Sequence, residues 1–358
     1  MRSYMKTRPC VGIDLFCGCG GVTRGFIDAG IEGRLGVDWE DTFKSTYENN
    51  NKVPFLRADI RRLSGEEISI RGRLKAGDQL VVSSCSPCQP FSFKNSNRTT
   101  DGSEDYRADL GLEVLRILEE LKILGVFPAA VFLENVPDFA RSPAWDEIKR
   151  GLFKLGYSVA CRVINCADYG VPQSRRRFIG LAIKSWRFVE FPAPTHGPGL
   201  SRPRTVRDAF RGLPPLEAGF ECPVTPNHRA RFLTAINLAR IKSVPADGGS
   251  RTSFPDTLVL DCHREFDGHK DVYGRMRFDE PSPTVTTRCI SITNGRYGHP
   301  VEHRAITIRE AARLQTFPDN FVFEGSSLDL NARMVGNAVP VLIAQVFGAH
   351  ILKLISAQ

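Results

Sequence analysis

Three sets of residues in this chain have types and spacings that could do chemistry. Cys88 lies in Val82-Ser83-Ser84-Cys85-Ser86-Pro87-Cys88-Gln89-Pro90-Phe91-Ser92, and Gln79 to Ser83 ahead of it reads as a short buried strand. A thiol presented where a strand gives way to a proline turn is placed for nucleophilic attack. A cysteine there is also an ordinary small buried hydrophobe. Glu134 closes the apolar run Ala129-Ala130-Val131-Phe132-Leu133, where a carboxylate is costly to bury unless it is paired or used. Gln173-Ser174-Arg175-Arg176-Arg177 leads into Phe178-Ile179-Gly180-Leu181-Ala182. Three arginines there are ordinarily a solvated strand end, but the last, Arg177, would sit at the sheet edge near the sulfur and the acid. Cys85-Ser86-Pro87-Cys88 is also a Cys-x-Pro-Cys, which keeps a thiol–disulfide role open on local grounds.

The elements that must position these groups form an alternating series. Cys10 to Phe16 reads as a buried strand, followed by the turn Cys17-Gly18-Cys19-Gly20-Gly21 and an amphipathic helix from Val22 to Ala29. Such a turn lets a ligand approach the backbone at a helix N-terminus, although it is not the six-residue dinucleotide fingerprint. A second strand, Gly33 to Val37, ends at Asp38-Trp39, about 20 residues after the turn, where a carboxylate suits a ribose hydroxyl pair and an indole could stack on adenine. Asp38 also reads as the N-cap of a helix over 40–49. A third strand-and-acid unit is Phe55-Leu56-Arg57-Ala58-Asp59-Ile60. The strand before Cys88 is the fourth, the one before Glu134 the fifth, and a sixth runs near Tyr157 to Val163. This alternation predicts a doubly wound α/β sheet with its site at the strand C-termini. Residues 91–106 are polar and too long for a connector, so they read as a mobile loop over that site. The helix after them is expected to turn Leu112, Leu115, Leu118 and Leu121 inward.

The chain has 358 residues, enough for two lobes, with 42% hydrophobic and 25% charged residues. No apolar run reaches the roughly 20 residues expected of a membrane span, and MRSYMKTRPC lacks the apolar core of a secretory signal. A cytoplasmic protein with its ten cysteines as thiols is the expectation. A net charge of +8 and a pI near 9.0 are compatible with a polyanionic partner.

Taken together, the separated blocks resemble the DNA cytosine-5 methyltransferase family, of the prokaryotic restriction-modification type. Asp14-Leu15-Phe16-Cys17-Gly18-Cys19-Gly20-Gly21 resembles its S-adenosylmethionine loop, Pro87-Cys88-Gln89 its catalytic-cysteine block and Glu134-Asn135-Val136 its acid block. Gln173-Ser174-Arg175-Arg176-Arg177 resembles its Gln-x-Arg-x-Arg block. Residues 309–318 and Gly336-Asn337-Ala338-Val339-Pro340 match its closing blocks. The likeness spans residues 10–183 and 304–350 and departs at Ser86, where the family often has Pro or Phe. It implies a Rossmann-like methyltransferase sheet with helices on both faces, plus a smaller irregular target-recognition domain. The expected division is 1–184 catalytic, 185–327 target-recognition and 328–358 returning to the catalytic domain.

The chemistry implied explains the residue types. A Cys88 thiolate adding at C6 of cytosine would make C5 nucleophilic toward the methyl of S-adenosylmethionine, leaving S-adenosylhomocysteine. Glu134 would act at N3, Arg175 and Arg177 would hold the base carbonyl, a phosphate or the thiolate, and a held water would take the C5 proton. A cytosine inside a duplex must be flipped out to reach such a pocket. By resemblance the cofactor contacts are Phe16, Gly18, Gly20, Asp38, Trp39, Asp59, Ile60, Leu110, Asn337 and Ala338. The segment 185–303 would face the major groove. Arg251, Arg264, Arg275, Arg277, Arg288 and Arg296 are candidates there, beside Thr284, Thr286 and Thr287. The DNA-contact set is Gln89, Ser92, Lys94, Arg98, Gln173, Arg275, Arg277, Thr286 and Arg288. His228, His263, His269 and Cys262 match no common zinc spacing, so no metal is expected. Duplex DNA is the expected partner, with a monomer as the working form and a cognate restriction endonuclease as a candidate companion. The distant blocks oppose a redox protein. The absence of a Cys-Phe-Thr tripeptide disfavours the tRNA-modifying branch, and the presence of Cys88, Glu134 and the glycine turn disfavours a non-catalytic relative.

Overall fold

The computed structural model describes residues 9–87, 109–184, 188–264 and 271–357. Cys88, Gln89, Ser92, Lys94 and Arg98, with the whole of 91–106, lie outside the described residues, as does His269.

The apolar runs form β1 (Cys10–Leu15), β2 (Glu32–Asp38), β3 (Phe55–Arg57), β4 (Gln79–Ser84), β5 (Ala130–Asn135), β6 (Ser158–Asn165) and β7 (Arg176–Ile183). Among the described residues they make one seven-stranded sheet in the order β3-β2-β1-β4-β5-β7-β6. The first five strands are parallel, and β7 inserts antiparallel between β5 and β6. The parallel half needs crossovers, and the helices supply them: α1 (Gly21–Ala29), α2 (Lys44–Asn51), α3 (Gly65–Arg71), α4 (Glu113–Ile123) and α5 (Pro143–Lys154). The fold is α/β and Rossmann-like.

Strand alternation divides the side chains between two layers. Val11, Ile13 and Leu15 of β1 join Val82, Val131 and Leu133 in a core with Ile117, Leu118, Leu121, Ile148 and Leu152 of α4 and α5. On the opposite face Phe132 meets Phe26 of α1 and Phe347 of α10 (Val341–Ser356), each with ring centroids 5.8 Å apart. In α4 the inward face is Val114, Ile117, Leu118 and Leu121. Of the others expected inward, Leu112 precedes the helix and Leu115 lies beside the face of Val114, Ile117, Leu118 and Leu121; both are half-buried against the same core.

By compactness the chain divides into two units. Unit 1 is Met1–Asn165, Arg176–Ala193 and Ile343–Gln358; unit 2 is Cys166–Arg175 and Pro194–Leu342. Among its described residues unit 2 lacks strand–helix alternation. It carries α6 (Val206–Phe210), α7 (Ala235–Ser243), α8 (Ile308–Leu314) and α9 (Leu328–Asn337), joined by 3-10 turns and isolated bridges. The helix expected near 230–241 begins only at Ala235, because the preceding chain is extended: Ala230 N–H donates to Phe220 O and Arg229 bridges Glu221. Small clusters replace a sheet core, one of them Ile241, Val244, Tyr273, Ile292 and Ala305.

By length and composition Leu328–Ser356 is apolar enough to count as a candidate membrane span, longer than any run noted in the sequence. The helix breaks at Ala338, and Ile343, Ala344, Phe347 and Ile351 of α10 are core residues.

Candidate functional site

In unit 1 the glycine turn leaves the C-terminal end of β1 in a strained conformation. Phe16 has φ of 60°, a region that bulky side chains avoid, and Gly18 and Gly20 follow at 55° and 93°. A Cβ on Gly20 would lie 2.2 Å from Asn51 Nδ2 and 2.9 Å from Tyr47, so only glycine fits where the turn meets α2. Asp38 holds the turn from β2: Oδ2 accepts Gly18 N–H and Oδ1 accepts Glu40 N–H, each at 2.9 Å. Its carboxyl is raised, burial being the main cause. Asp38 is not the N-cap of α2, which starts later, at Lys44, after the 3-10 turn Asp41–Phe43.

Beside it Trp39 is 64% exposed, with the Arg57 guanidinium 5.8 Å from the ring centroid. That exposed indole can stack on a planar ligand. Ile60 is buried and Leu110 half-buried against the same core, and both can give apolar contact. The Asp59 carboxylate is engaged by Arg61, with Nε to Oδ1 at 2.9 Å and Nη2 to Oδ2 at 2.6 Å, and this pairing holds it below its usual range.

One residue of this site was missed in the sequence. Asp14 is buried under the turn on β1, accepting Thr23 Oγ1 and Ser83 Oγ at 2.7 Å each and the Thr23 backbone N–H at the start of α1. Burial pushes its carboxyl up to about 6, against those hydrogen bonds. A helix N-terminus beside a glycine turn is ordinarily an anion site. Here the protein's own carboxylate occupies it, so the turn suits a cationic or neutral nucleoside better than a phosphate. The signal was available, since Asp14 interrupts an apolar strand just as Glu134 does.

Glu134 sits on β5 at 9% exposure, directly opposite Ile179 of β7. Arg177, two residues before Ile179, is its diagonal neighbour on the same face. Arg177 Nε lies 2.9 Å from Glu134 Oε1. The neighbouring Asn135 is buried, and its Nδ2 donates to the carbonyl of Ser86 at 3.3 Å, tying β5 to the segment that enters Cys88. The Cys85 thiol is pushed well above its usual value by burial, as suits a packing residue.

Arg175 does not share the position of Arg177, although the resemblance gives both a part in holding the base carbonyl, a phosphate or the thiolate. It is 2% exposed in unit 2, donating to the carbonyls of Val285 at 2.9 Å and of Gly336 and Ala338 at 3.3 Å each. Its guanidinium braces backbone and is not presented to a base. Two DNA-contact expectations are corrected in the same way. Gln173 is fully buried, accepting Val285 N–H and donating to Gln315 Oε1. Arg275 is 1% exposed and donates to the carbonyls of Val244, His299, Glu302 and Ile241 and to His303 Nδ1. Arg296, partly buried, divides its donors between the carbonyls of Gly248, Gly249 and Arg275 and the Asp271 carboxylate. Arg277 and Arg288 are exposed, Arg277 beside Glu280, and Thr286 Oγ1 is 3.0 Å from the Tyr297 hydroxyl. Asn337 ends α9 and Ala338 follows it. His228 is buried between Thr307 Oγ1 and Pro214 O.

The family profile for the C-5 cytosine-specific DNA methylase matches residues 11–353. The chain is 37% identical over 351 residues to the type II methylase M.HgiDII of Herpetosiphon aurantiacus, covering 95% of this chain and 94% of that one. It is 34% identical over 346 residues to the type II methyltransferase M1.HphI of Haemophilus parahaemolyticus, covering 96% and 86%. Of solved structures, a prophage-encoded DNA modification methyltransferase candidate from E. coli aligns with a TM-score of 0.74 at 20% identity, covering 97% of this chain and 99% of that one. The S. pombe Dnmt2 methyltransferase aligns at 0.65 and 17%, covering 97% and 99%. Those two likenesses speak for the fold alone. The family's methyl donor is S-adenosylmethionine and its substrate is DNA. The chain therefore belongs to the C-5 cytosine-specific DNA methylase family, as a DNA cytosine-5 methyltransferase of the type II restriction-modification kind.

Proposed function

We propose that this enzyme methylates C5 of cytosine within one short duplex DNA sequence, through covalent addition of Cys88 to C6 of a flipped-out base. The observation that carries this reading is the Glu134–Arg177 pair, 2.9 Å apart and nearly sealed from solvent, beside the strand end that leads to Cys88. The Arg177 guanidinium orients the Glu134 carboxyl and leaves its second oxygen for N3 of the base. The Cys88 sulfur forms a bond to C6, the electron density passes to N3 and C5, and Glu134 steadies or protonates N3. Once C5 carries the methyl and its proton has gone to a held water, the C6–S bond breaks, the C5–C6 double bond is restored and the thiolate returns.

The residues under the glycine turn fit the donor. Asp14 and Asp38 make the turn electronegative, Trp39 offers an open ring face, and Ile60 and Leu110 offer apolar contact. S-adenosylmethionine bound there supplies an electrophilic methyl on a sulfonium. Phe16, Gly18, Gly20 and Asp59 complete the unit 1 contacts, with Asn337 and Ala338 assigned to the same ligand from unit 2. Unit 1 is the catalytic part and unit 2 the target-recognition part, with Thr286, Arg277 and Arg288 offered to DNA. Gln89, Ser92, Lys94 and Arg98 are assigned to DNA from the chain after Cys88. The enzyme works as a monomer in the cytoplasm, with a cognate restriction endonuclease as its companion.

The test is transfer of labelled methyl to duplex DNA, with trapping on DNA carrying 5-fluorocytosine, which has no C5 proton to lose. Wild type should form a covalent complex stable to denaturant and Cys88→Ala none. Methyl transfer surviving in Cys88→Ala would overturn the mechanism.

A further inference from the structure

Val285 is gripped at both sides of its backbone. Its N–H donates to Gln173 Oε1 at 2.8 Å, and its carbonyl accepts Arg175 Nη1 at 2.9 Å. The same two side chains reach the end of α9. Arg175 Nη2 donates to the carbonyls of Gly336 and Ala338 at 3.3 Å each. Gln173 Nε2 donates at 2.9 Å to Gln315 Oε1, and the Gln315 amide in turn donates to the carbonyls of Val335 and Ala338 at 2.8 and 2.9 Å. The two backbones also touch directly. A Cβ on Gly336 would stand 2.3 Å from the Thr286 carbonyl carbon and 2.4 Å from Thr287 N, so no side chain fits there. Gln173 and Arg175 are 0% and 2% exposed, too enclosed to meet DNA or cofactor themselves.

We propose that Gln173 and Arg175 are positioning residues that clamp the segment 285–288 and the turn 336–338 into one rigid piece of unit 2. This rests on the reading above, in which Thr286 and Arg288 serve DNA and Asn337 and Ala338 serve the cofactor. Arginine is suited to the task because its planar fork donates in several directions at once, whereas lysine has one nitrogen. The clamp holds main chain, so it sets the spacing between the two ligand-facing stretches whatever their side chains are. Loosening it should weaken both ligands together, although neither clamp residue touches either. A contact residue would weaken one ligand. A residue needed only for stability would lower the fraction of folded protein and leave the affinity of the folded part unchanged.

The experiment uses the full chain. Isothermal titration measures S-adenosylhomocysteine binding, and fluorescence anisotropy measures a duplex carrying the sequence found by mapping 5-methylcytosine in a host expressing the enzyme. Arg175→Lys should weaken each ligand by about tenfold, the loss typical of a broken hydrogen bond to a charged group, with calorimetric stoichiometry unchanged. Arg288→Ala should weaken DNA alone and Asn337→Ala the cofactor alone. Gln173→Glu keeps the acceptor for Val285 and loses the donor to Gln315; it should show the same double loss, more weakly, and serves if Arg175→Lys does not fold. Loss of one ligand only, or unchanged affinities with reduced stoichiometry, overturns the clamp. Failure of the wild type to bind either ligand overturns the functional reading instead.

Discussion

Replacing Asp14 by asparagine separates a functional charge from a structural one. Burial, with a smaller push from the Asp38 charge, raises this carboxyl from 3.8 to about 6 against the hydrogen bonds from Ser83 and Thr23. A shift of about 2 units means that keeping it ionised costs the fold about 3 kcal/mol at neutral pH. The Asp14→Asn change would remove that cost and lose one or two accepted hydrogen bonds, at about 1 kcal/mol each. The variant should therefore be at least as stable as wild type in urea at pH 7. An acid with a raised folded pKa takes up its proton first in the folded state, so its cost fades as pH falls from about 6 toward the unfolded value. Wild type should gain about 1 kcal/mol on the variant between pH 7 and pH 5. A charge retained at such a cost is expected to serve a cation, here the sulfonium. Calorimetry should show Asp14→Asn losing affinity for S-adenosylmethionine by about tenfold while binding S-adenosylhomocysteine, whose sulfur is neutral, nearly as before. Wild-type affinity for the sulfonium should fall below about pH 6 and that of the variant should not. If the variant is less stable by about 2 kcal/mol or more and keeps the wild-type ratio of the two affinities, Asp14 is a cap for α1 and the argument fails.

Three further outcomes follow from other contacts. Glu134→Gln keeps the shape beside Arg177 and removes the acid, so single-turnover methyl transfer should fall by about 10²- to 10⁴-fold with DNA affinity little changed; a rate within about threefold of wild type would exclude an acid role. Arg275→Lys leaves several of the five acceptors around Arg275 without donors, so the urea midpoint should drop by the equivalent of about 3 kcal/mol. Unchanged stability with lost DNA binding would instead make Arg275 a reader of bases. Burial pushes the Glu310 carboxyl up, and Arg304 overrides it to hold the pKa near 2, below the unfolded 4.5. That stabilisation is present above pH 4.5 and lost as pH falls toward 2, so Glu310→Gln should flatten the acid limb of the denaturation profile.

The sheet was legible because its signals are periodic. Apolar strands ending in or followed by a glycine, acid or cysteine recur at β1, β2, β4 and β5, and the central strands, covered on both faces, read as continuous apolar runs. The arginines after Gln173 divide at the strand boundary. Arg175 and Arg177 are two residues apart, so a strand through both would aim them at one target. But β7 begins at Arg176, and the passage from unit 2 to unit 1 falls between Arg175 and Arg176. Period two holds only inside the strand. Arg177 obeys it and meets Glu134; Arg175 lies outside it and points its fork at carbonyls of unit 2.

Unit 2 was opaque for a related reason. Its interior holds buried guanidinium groups beside its apolar side chains, and Arg275, Arg304 and Arg309 are among its largest fully buried side chains. Composition cannot tell such an arginine from one that reads DNA, because both need the same donors and both sit among Gly and Pro turns. What separates them is the count of nearby carbonyls that no helix or strand satisfies, a quantity set by the folded chain. Aperiodic backbone leaves such carbonyls in excess, and a five-donor side chain can satisfy several of them at once. The arginines of unit 2 therefore divide by what surrounds them: Arg275 and Arg309 donate to main-chain carbonyls, Arg304 divides its donors between carbonyls and the Glu302 and Glu310 carboxylates, and Arg277 and Arg288 stand exposed at the surface.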